Sequence, residues 1–234
     1  MIYGLIISAG NQSRFDSDIP KALMKYKDST LLDLNIENML TSCDKVIVVC
    51  SHENCKWFSI YPHIQINSGL GCGDAVLKAL LTLNLTDDDT VFIQWGDCLH
   101  KTNVYTVVKN AYKSHCVIPC VYEDLPYVQI IPQVDKHVLV KFSKYGDKIT
   151  SGLHDLSLFY GNAKNILKHL QEFQQQILVN GKYIHKHGNE MQFLDVFNET
   201  NITADVIELS DYEVFSFNTI DEFKSITNTK VDNS

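Results

Sequence analysis

An α/β domain, with a mostly parallel mixed sheet and helices on both of its faces, is the fold class this sequence predicts. Short β-branched apolar runs alternate with longer apolar stretches of helical period, the rhythm of strand–helix–strand units. With 234 residues, 45% hydrophobic and 21% charged, the chain has material for one large core. No internal repeat, linker or low-complexity block interrupts it. One domain is therefore expected over residues 1–226, followed by a polar, disordered tail, TNTKVDNS, over 227–234.

The opening apolar run, Ile2–Ser8, reads as the first strand. Residues 30–42 (TLLDLNIENMLTS) set Leu31, Leu34, Ile36 and Met39 near one face of a helix. Strands are expected over 45–50 and 64–67, and 73–83 (GDAVLKALLTL), apolar on most sides, reads as a buried helix. Strands at Thr90–Trp95 and 116–121 continue an alternation that makes a parallel sheet covered on both faces. The second half differs. Residues 127–131, 137–143 and 154–159 are strand-like with no helix between them, an antiparallel or mixed extension able to wall a pocket. A helix over 163–173 carries Ala163, Ile166, Leu167, Leu170 and Phe173 at helical spacing, and another is expected over 190–198. A strand at 204–209 and an extended segment at 213–218 lead to a short helix, for which Thr219 and Glu222 have capping-box spacing.

Composition narrows the function classes. No window offers the ~18 consecutive apolar residues of a membrane span. The N-terminus lacks the charged start and small-residue cleavage site of a signal peptide, so a cytoplasmic protein is expected. Seven cysteines without a C-x-x-C pair read as small buried hydrophobes of a reducing compartment, not as a disulfide framework or a zinc site. A net charge of −8 with no basic run argues against binding a nucleic-acid backbone.

Ligands of such sheets collect at the carboxyl ends of the strands, and four stretches fall there. The first, SAGNQSR followed by Pro20-Lys21, offers a turn at Gly10 with exposed backbone N–H groups and two cations, Arg14 and Lys21, suited to gripping phosphate; an ordinary loop with surface cations is the alternative. The second, GLGCGDA at 69–75, puts glycines and Cys72 before a helix, where backbone can approach a nucleobase; a flexible turn is the alternative. In the third, VFIQWGDC, a buried strand ends in Trp95-Gly96-Asp97 and delivers one carboxylate, enough for Mg²⁺ when substrate phosphates supply the other ligands. The fourth ends at Asn218, whose amide oxygen could bind a metal or whose role could be to terminate a strand. His154-Asp155 reads as structural, with contact to an acceptor as the alternative. His185 and His187 read as a solvated loop with no metal role.

In their order, spacing and wording these stretches resemble the nucleotidyltransferases of the GT-A-like, MobA-like superfamily, and most of all the uridylyltransferase domain of N-acetylglucosamine-1-phosphate uridyltransferases. The family opening A-A-G-x-G-T-R…P-K is similar to Ser8-Ala9-Gly10-Asn11-Gln12-Ser13-Arg14 with Pro20-Lys21. Its G-T-G-H-A loop is similar to Gly71-Cys72-Gly73-Asp74-Ala75, its Y-G-D motif to Trp95-Gly96-Asp97, and its late asparagine to Asn218. The resemblance implies a Rossmann-like, GT-A-like fold and a pyrophosphorylase that joins an NTP to a sugar 1-phosphate, UTP and N-acetylglucosamine 1-phosphate being the pair it favours. A cytidylyltransferase or other NTP-dependent transferase with a different phosphorylated acceptor, and a non-catalytic nucleotide-binding module, are the alternatives. It further implies Arg14 and Lys21 as catalytic cations, and Ser8, Ala9, Gly10, Gly71 and Cys72 around the nucleotide. Trp95 and Gly96 would lie beside the substrate, with Asp97 and Asn218 on Mg²⁺. Gln12, Cys72 and Trp95 stand where the family has glycine, threonine and tyrosine. The family's sugar-contacting glutamate and asparagine have no match in KFSKYGDKITSGLHDLSLF.

Overall fold

The computed structural model describes residues 1–10, 19–67, 69–210, 212, 215–217 and 219–231. Strand β1 (Ile2–Ser8) lies between β2 (Lys45–Ser51) and β4 (Thr90–Trp95), parallel to both, with Leu5 level with Ile47 and Ile93. A strand flanked in this way is covered on both faces, which is why its side chains are apolar without alternation. Strand β3 (His63–Ile66) extends the parallel half beyond β2. On the other side of β4 come β9 (Leu158–Asn162), β5 (Cys116–Asp124), β8 (Ser151–Asp155), β6 (Val128–Pro132) and β7 (Val138–Phe142), each antiparallel to its neighbour in that order. Strand β10 (Ala204–Glu208) pairs parallel with β5. The described residues thus form one ten-stranded sheet, and from the pairings only β7, β8 and β9 run against the rest. The fold is the mostly parallel mixed α/β sheet that the sequence predicts.

Successive residues of β1 feed opposite layers. Leu5 packs with Ile47, Val49 and Ile93 against α2 (Cys72–Leu81) and α4 (Ala163–Ile177), through Val76, Leu80, Leu170 and Phe173. Ile6 joins Val48 and Phe92 against α1 (Leu31–Leu40) and α3 (Thr102–Ala111), through Leu32, Met39, Val104 and Tyr105. Thr30 opens α1 by accepting a bond from the Asp33 N–H at 3.0 Å, and Asn162 opens α4 by accepting one from Asn165 at 2.8 Å. In α1 the fully buried positions are Leu31, Leu32, Asn35 and Met39, so Leu32 and Asn35 take the places that the periodicity gave to Leu34 and Ile36.

Several expectations need correction. The run 154–159 is two strands, because Ser157 adopts a left-handed conformation (φ 57°) and turns β8 into β9. The helix expected over 190–198 shrinks to α5 (Asp195–Glu199), and α3 appears where no helix was expected. Gly73 lies inside α2 instead of before it. Helix α6 (Ile220–Val231) runs past residue 226 into the stretch read as a tail. Its start follows the capping-box reading: Glu222 N–H donates to Thr219 Oγ1 at 3.2 Å and Thr219 N–H to Glu222 Oε2 at 3.4 Å. Of the seven cysteines, all free, five are buried, while Cys55 and Cys72 are half-buried.

Candidate active site

The carboxyl end of β4 is fixed from three directions. Trp95 N–H donates to Ser157 O at 3.1 Å, and Gly96 N–H donates to Ile7 O on β1 at 2.9 Å. Glycine at 96 permits this approach, since an added Cβ would overlap Ser8 Oγ and force that side chain to move. Beyond it, Cys98 O accepts from two buried amides, Asn35 Nδ2 on α1 at 2.8 Å and Gln94 Nε2 at 2.9 Å, and Tyr105 on α3 donates to Gln94 Oε1 at 2.5 Å. These bonds hold the turn carrying Asp97 from two helices, although Asn35 Oδ1 is buried without a partner.

Lys21 Nζ lies 3.3 Å from Asp97 Oδ2 and 3.2 Å from Phe217 O, with its side chain 12% exposed against 34% for Asp97. Proline and a short 3₁₀ turn, Lys21–Leu23, deliver the lysine. Phe217 arrives because Phe215–Ser216 pairs antiparallel with Cys98–Leu99, while Phe215, Phe217 and Phe223 pack on Leu31. Residues separated by almost the whole chain therefore meet at one ammonium group. Arg14 and Asn218 lie outside the described residues. Ser8 and Ala9 are buried at the end of β1, Gly10 is exposed, and Ser8 O accepts from Asn54 Nδ2 at 3.0 Å.

The glycine loop has a packing duty. Gly71 (φ 95°) and Gly73 lie against the backbone of Met191: an added Cβ on Gly71 would overlap Met191 O, and Gly73 N–H donates to that oxygen at 2.8 Å. Cys72 Sγ accepts from Phe193 N–H at 3.3 Å, and burial pushes the thiol up to about 11, so it is protonated and unreactive near neutral pH. A cavity of about 290 Å³ opens beside these groups, walled by Trp95, Tyr127, Phe142, Tyr145 and Phe217, with Cys72, Asp97, Lys144, His154, Asp155 and Gln192 contributing polar atoms. It brings together Cys72, Trp95 and Asp97 of the residues singled out in the sequence. His154 and Asp155 also converge on it. His154 Nδ1 is 2.8 Å from Glu123 Oε2, and Asp155 Oδ1 accepts from Ser157 N–H at 2.8 Å while burial pushes its carboxyl up. Tyr127, Lys144, Tyr145 and Gln192 carry no motif, and only the folding of β6, β7 and the 190–193 segment over the sheet reveals them.

The MobA-like NTP transferase domain model matches residues 4–176. The chain belongs to this family. The bifunctional protein GlmU of Ruthia magnifica is 28% identical to the chain over 152 residues, covering 58% of the chain and 32% of that protein. The 2-C-methyl-D-erythritol 4-phosphate cytidylyltransferase of Petrotoga mobilis is 30% identical over 110 residues, covering 43% of the chain and 46% of that protein. The matches thus span less than half the length of either relative. Among solved structures, the nucleoside-diphosphate-sugar pyrophosphorylase from Vibrio cholerae RC9 superposes with a TM-score of 0.72 over 97% of the chain and 100% of that structure, at 14% identity. The MobA-like fold places Lys21, Asp97 and the cavity at the carboxyl edge of the sheet, and no described helix is long and apolar enough to cross a membrane.

Proposed function

We propose that this MobA-like transferase moves a nucleoside monophosphate from an NTP to a sugar 1-phosphate and releases pyrophosphate, with UTP and N-acetylglucosamine 1-phosphate as the first pair to test. The observation that supports it most is the meeting of Lys21 and Asp97, 3.3 Å apart, at the rim of a monosaccharide-sized cavity of about 290 Å³. A phosphate oxygen of the acceptor, ionised near neutral pH, attacks the α-phosphorus, and the bond from that phosphorus to the bridging oxygen breaks. No side chain has to remove a proton. Catalysis is then alignment of two polyanions and neutralisation of charge. Lys21 and Arg14 would hold the departing pyrophosphate, and Ser8, Ala9, Gly10, Gly71 and Cys72 would border the nucleotide. Trp95 and Gly96 would border the acceptor.

Asp97 fits a magnesium ion. It is a partly exposed carboxylate with Lys21 on one oxygen only, and its donors are hard oxygens of the kind Mg²⁺ selects. Asp97 and Asn218 would hold the ion, which would supply positive charge to the triphosphate. A second reading, cytidylyl transfer to a different phosphorylated acceptor, is favoured by the five aromatic rings of the cavity wall, which suit a less polar headgroup than a sugar.

Pyrophosphate release measured with the four common NTPs, with Mg²⁺ or a chelator, across sugar 1-phosphates and phosphorylated alcohols tests both readings. Turnover with UTP and a hexosamine 1-phosphate is the expected result. Turnover only with CTP and a phosphorylated alcohol selects the second reading. Nucleotide binding without turnover anywhere on the panel leaves a nucleotide-binding module.

A further inference from the structure

The pair His185 and His187, polar and alternating in sequence, is not solvated. The side chains are 7% and 11% exposed and converge on Asp195, which is fully buried at the start of α5. One nitrogen or oxygen from each residue lies within 4.8 Å of the others. His187 Nδ1 is 2.7 Å from Asp195 Oδ1, which accounts for one proton and one carboxylate oxygen. The remainder of the cluster is short of partners. Asp195 Oδ2 and His185 Nε2 are both buried without a hydrogen-bond partner. His185 Nδ1, 3.3 Å from Asp195 Oδ2, takes at most a long bond of 3.4 Å from the His187 N–H. Glu199 Oε1 stands 3.5 Å from His185 Nε2 as a further carboxylate. Buried ligand atoms left without partners around one point are what a bound cation satisfies, the imidazole giving up its proton to bind.

We propose that His185, His187 and Asp195 form a zinc-binding site separate from the nucleotidyl-transfer centre. Two imidazoles and a carboxylate suit a borderline ion of low coordination number, whereas Mg²⁺ and Ca²⁺ select sets made of oxygen. The site is structural in consequence. It ties the loop after Lys182–Tyr183 to α5 and braces the cavity wall, because the Tyr145 ring lies flat on His187 at 4.6 Å with an interplanar angle of 6° and Phe142 meets it edge-on at 5.0 Å.

The test is calorimetric titration of the chelator-treated full chain with Zn²⁺, beside a His185→Gln/His187→Gln double variant, with cobalt absorption spectra as a second readout. One zinc ion per wild-type chain and none in the double variant is expected. At zinc a hundredfold above its Kd the melting temperature should rise by roughly 5–10 °C in the wild type alone. The cobalt form should show the visible bands of a tetrahedral nitrogen–oxygen site and no thiolate charge-transfer band, which separates this cluster from the cysteines. Equal zinc uptake by wild type and variant, no uptake by either, or a thiolate band would overturn the proposal. If the double variant does not fold, Asp195→Asn, which keeps an acceptor for His187, takes its place, and the wild-type cobalt spectrum decides independently.

Discussion

At the residue scale, the proposed transfer puts its weight on Lys21 and Asp97. Replacing Lys21 by Met should lower turnover by about 10²–10³-fold, the usual cost of removing one group aimed at developing charge. The melting temperature should change little, since the Asp97 carboxylate keeps access to water and Met fills the space of the lysine stem. Pyrophosphate release and thermal melts on the same preparation check both halves; unchanged turnover would remove Lys21 from the mechanism. Gly96 offers a sharper geometric test. Gly96→Ala forces a methyl against Ser8 Oγ and should destabilise the fold by about 1–3 kcal/mol in urea unfolding, an overpacking cost. Ser8→Ala removes that oxygen, which has no hydrogen-bond partner, and should recover part of the loss in the double variant. Simple additivity of the two changes would show that the contact is not the cause.

At the scale of elements, buried polar side chains position the turn and the hairpin around the site. Tyr183, beside the 178–183 hairpin turn, donates to Asp74 Oδ1 on α2 at 2.5 Å, and burial together with Asp74 pushes its hydroxyl up to about 12. Tyr183→Phe leaves Asp74 without that donor and should cost about 1–3 kcal/mol in urea unfolding. A cost near zero would mean that Lys78, 2.7 Å from Asp74, satisfies the carboxylate alone. What the sequence disclosed follows the same physics. Ile2–Ser8 and Thr90–Trp95 were legible to the residue because strands buried on both faces are continuous apolar runs. Helix α3 was not, since its β-branched Thr102, Val104, Thr106, Val107 and Val108 blur the helical period. The turn at Ser157 gave no signal because a left-handed serine is chosen by tertiary context. Asp97 announced itself through a glycine and a strand end. The burial of His185 and His187 depends on Asp195 and Phe173 folding around them, which no local pattern encodes.

At the scale of the whole molecule, a buried histidine contributes to acid sensitivity, alongside His169, which burial also holds down. Burial holds His100 down to about 4, while the unfolded chain protonates it near its ordinary 6.5. The unfolded state therefore binds more protons between those values, and stability is lost as pH falls through that window, by about 3 kcal/mol in all. Asp155 and Asp195, whose carboxyls are pushed up, act in the opposite sense, so the comparison must be with His100→Gln. Urea midpoints from pH 7 to pH 4.5 should fall steeply in the wild type and less steeply in the variant; parallel curves would assign the slope to other groups. The Lys21–Phe217 bond spans 196 positions of sequence, and it closes a circuit that the sheet alone does not need. Contacts of such separation form only after their loop entropy has been overcome, so strands can pair before the Lys21–Asp97 site is assembled. Refolding experiments should then find secondary structure returning ahead of catalytic competence, with enzymatic activity serving as the clock for the final step.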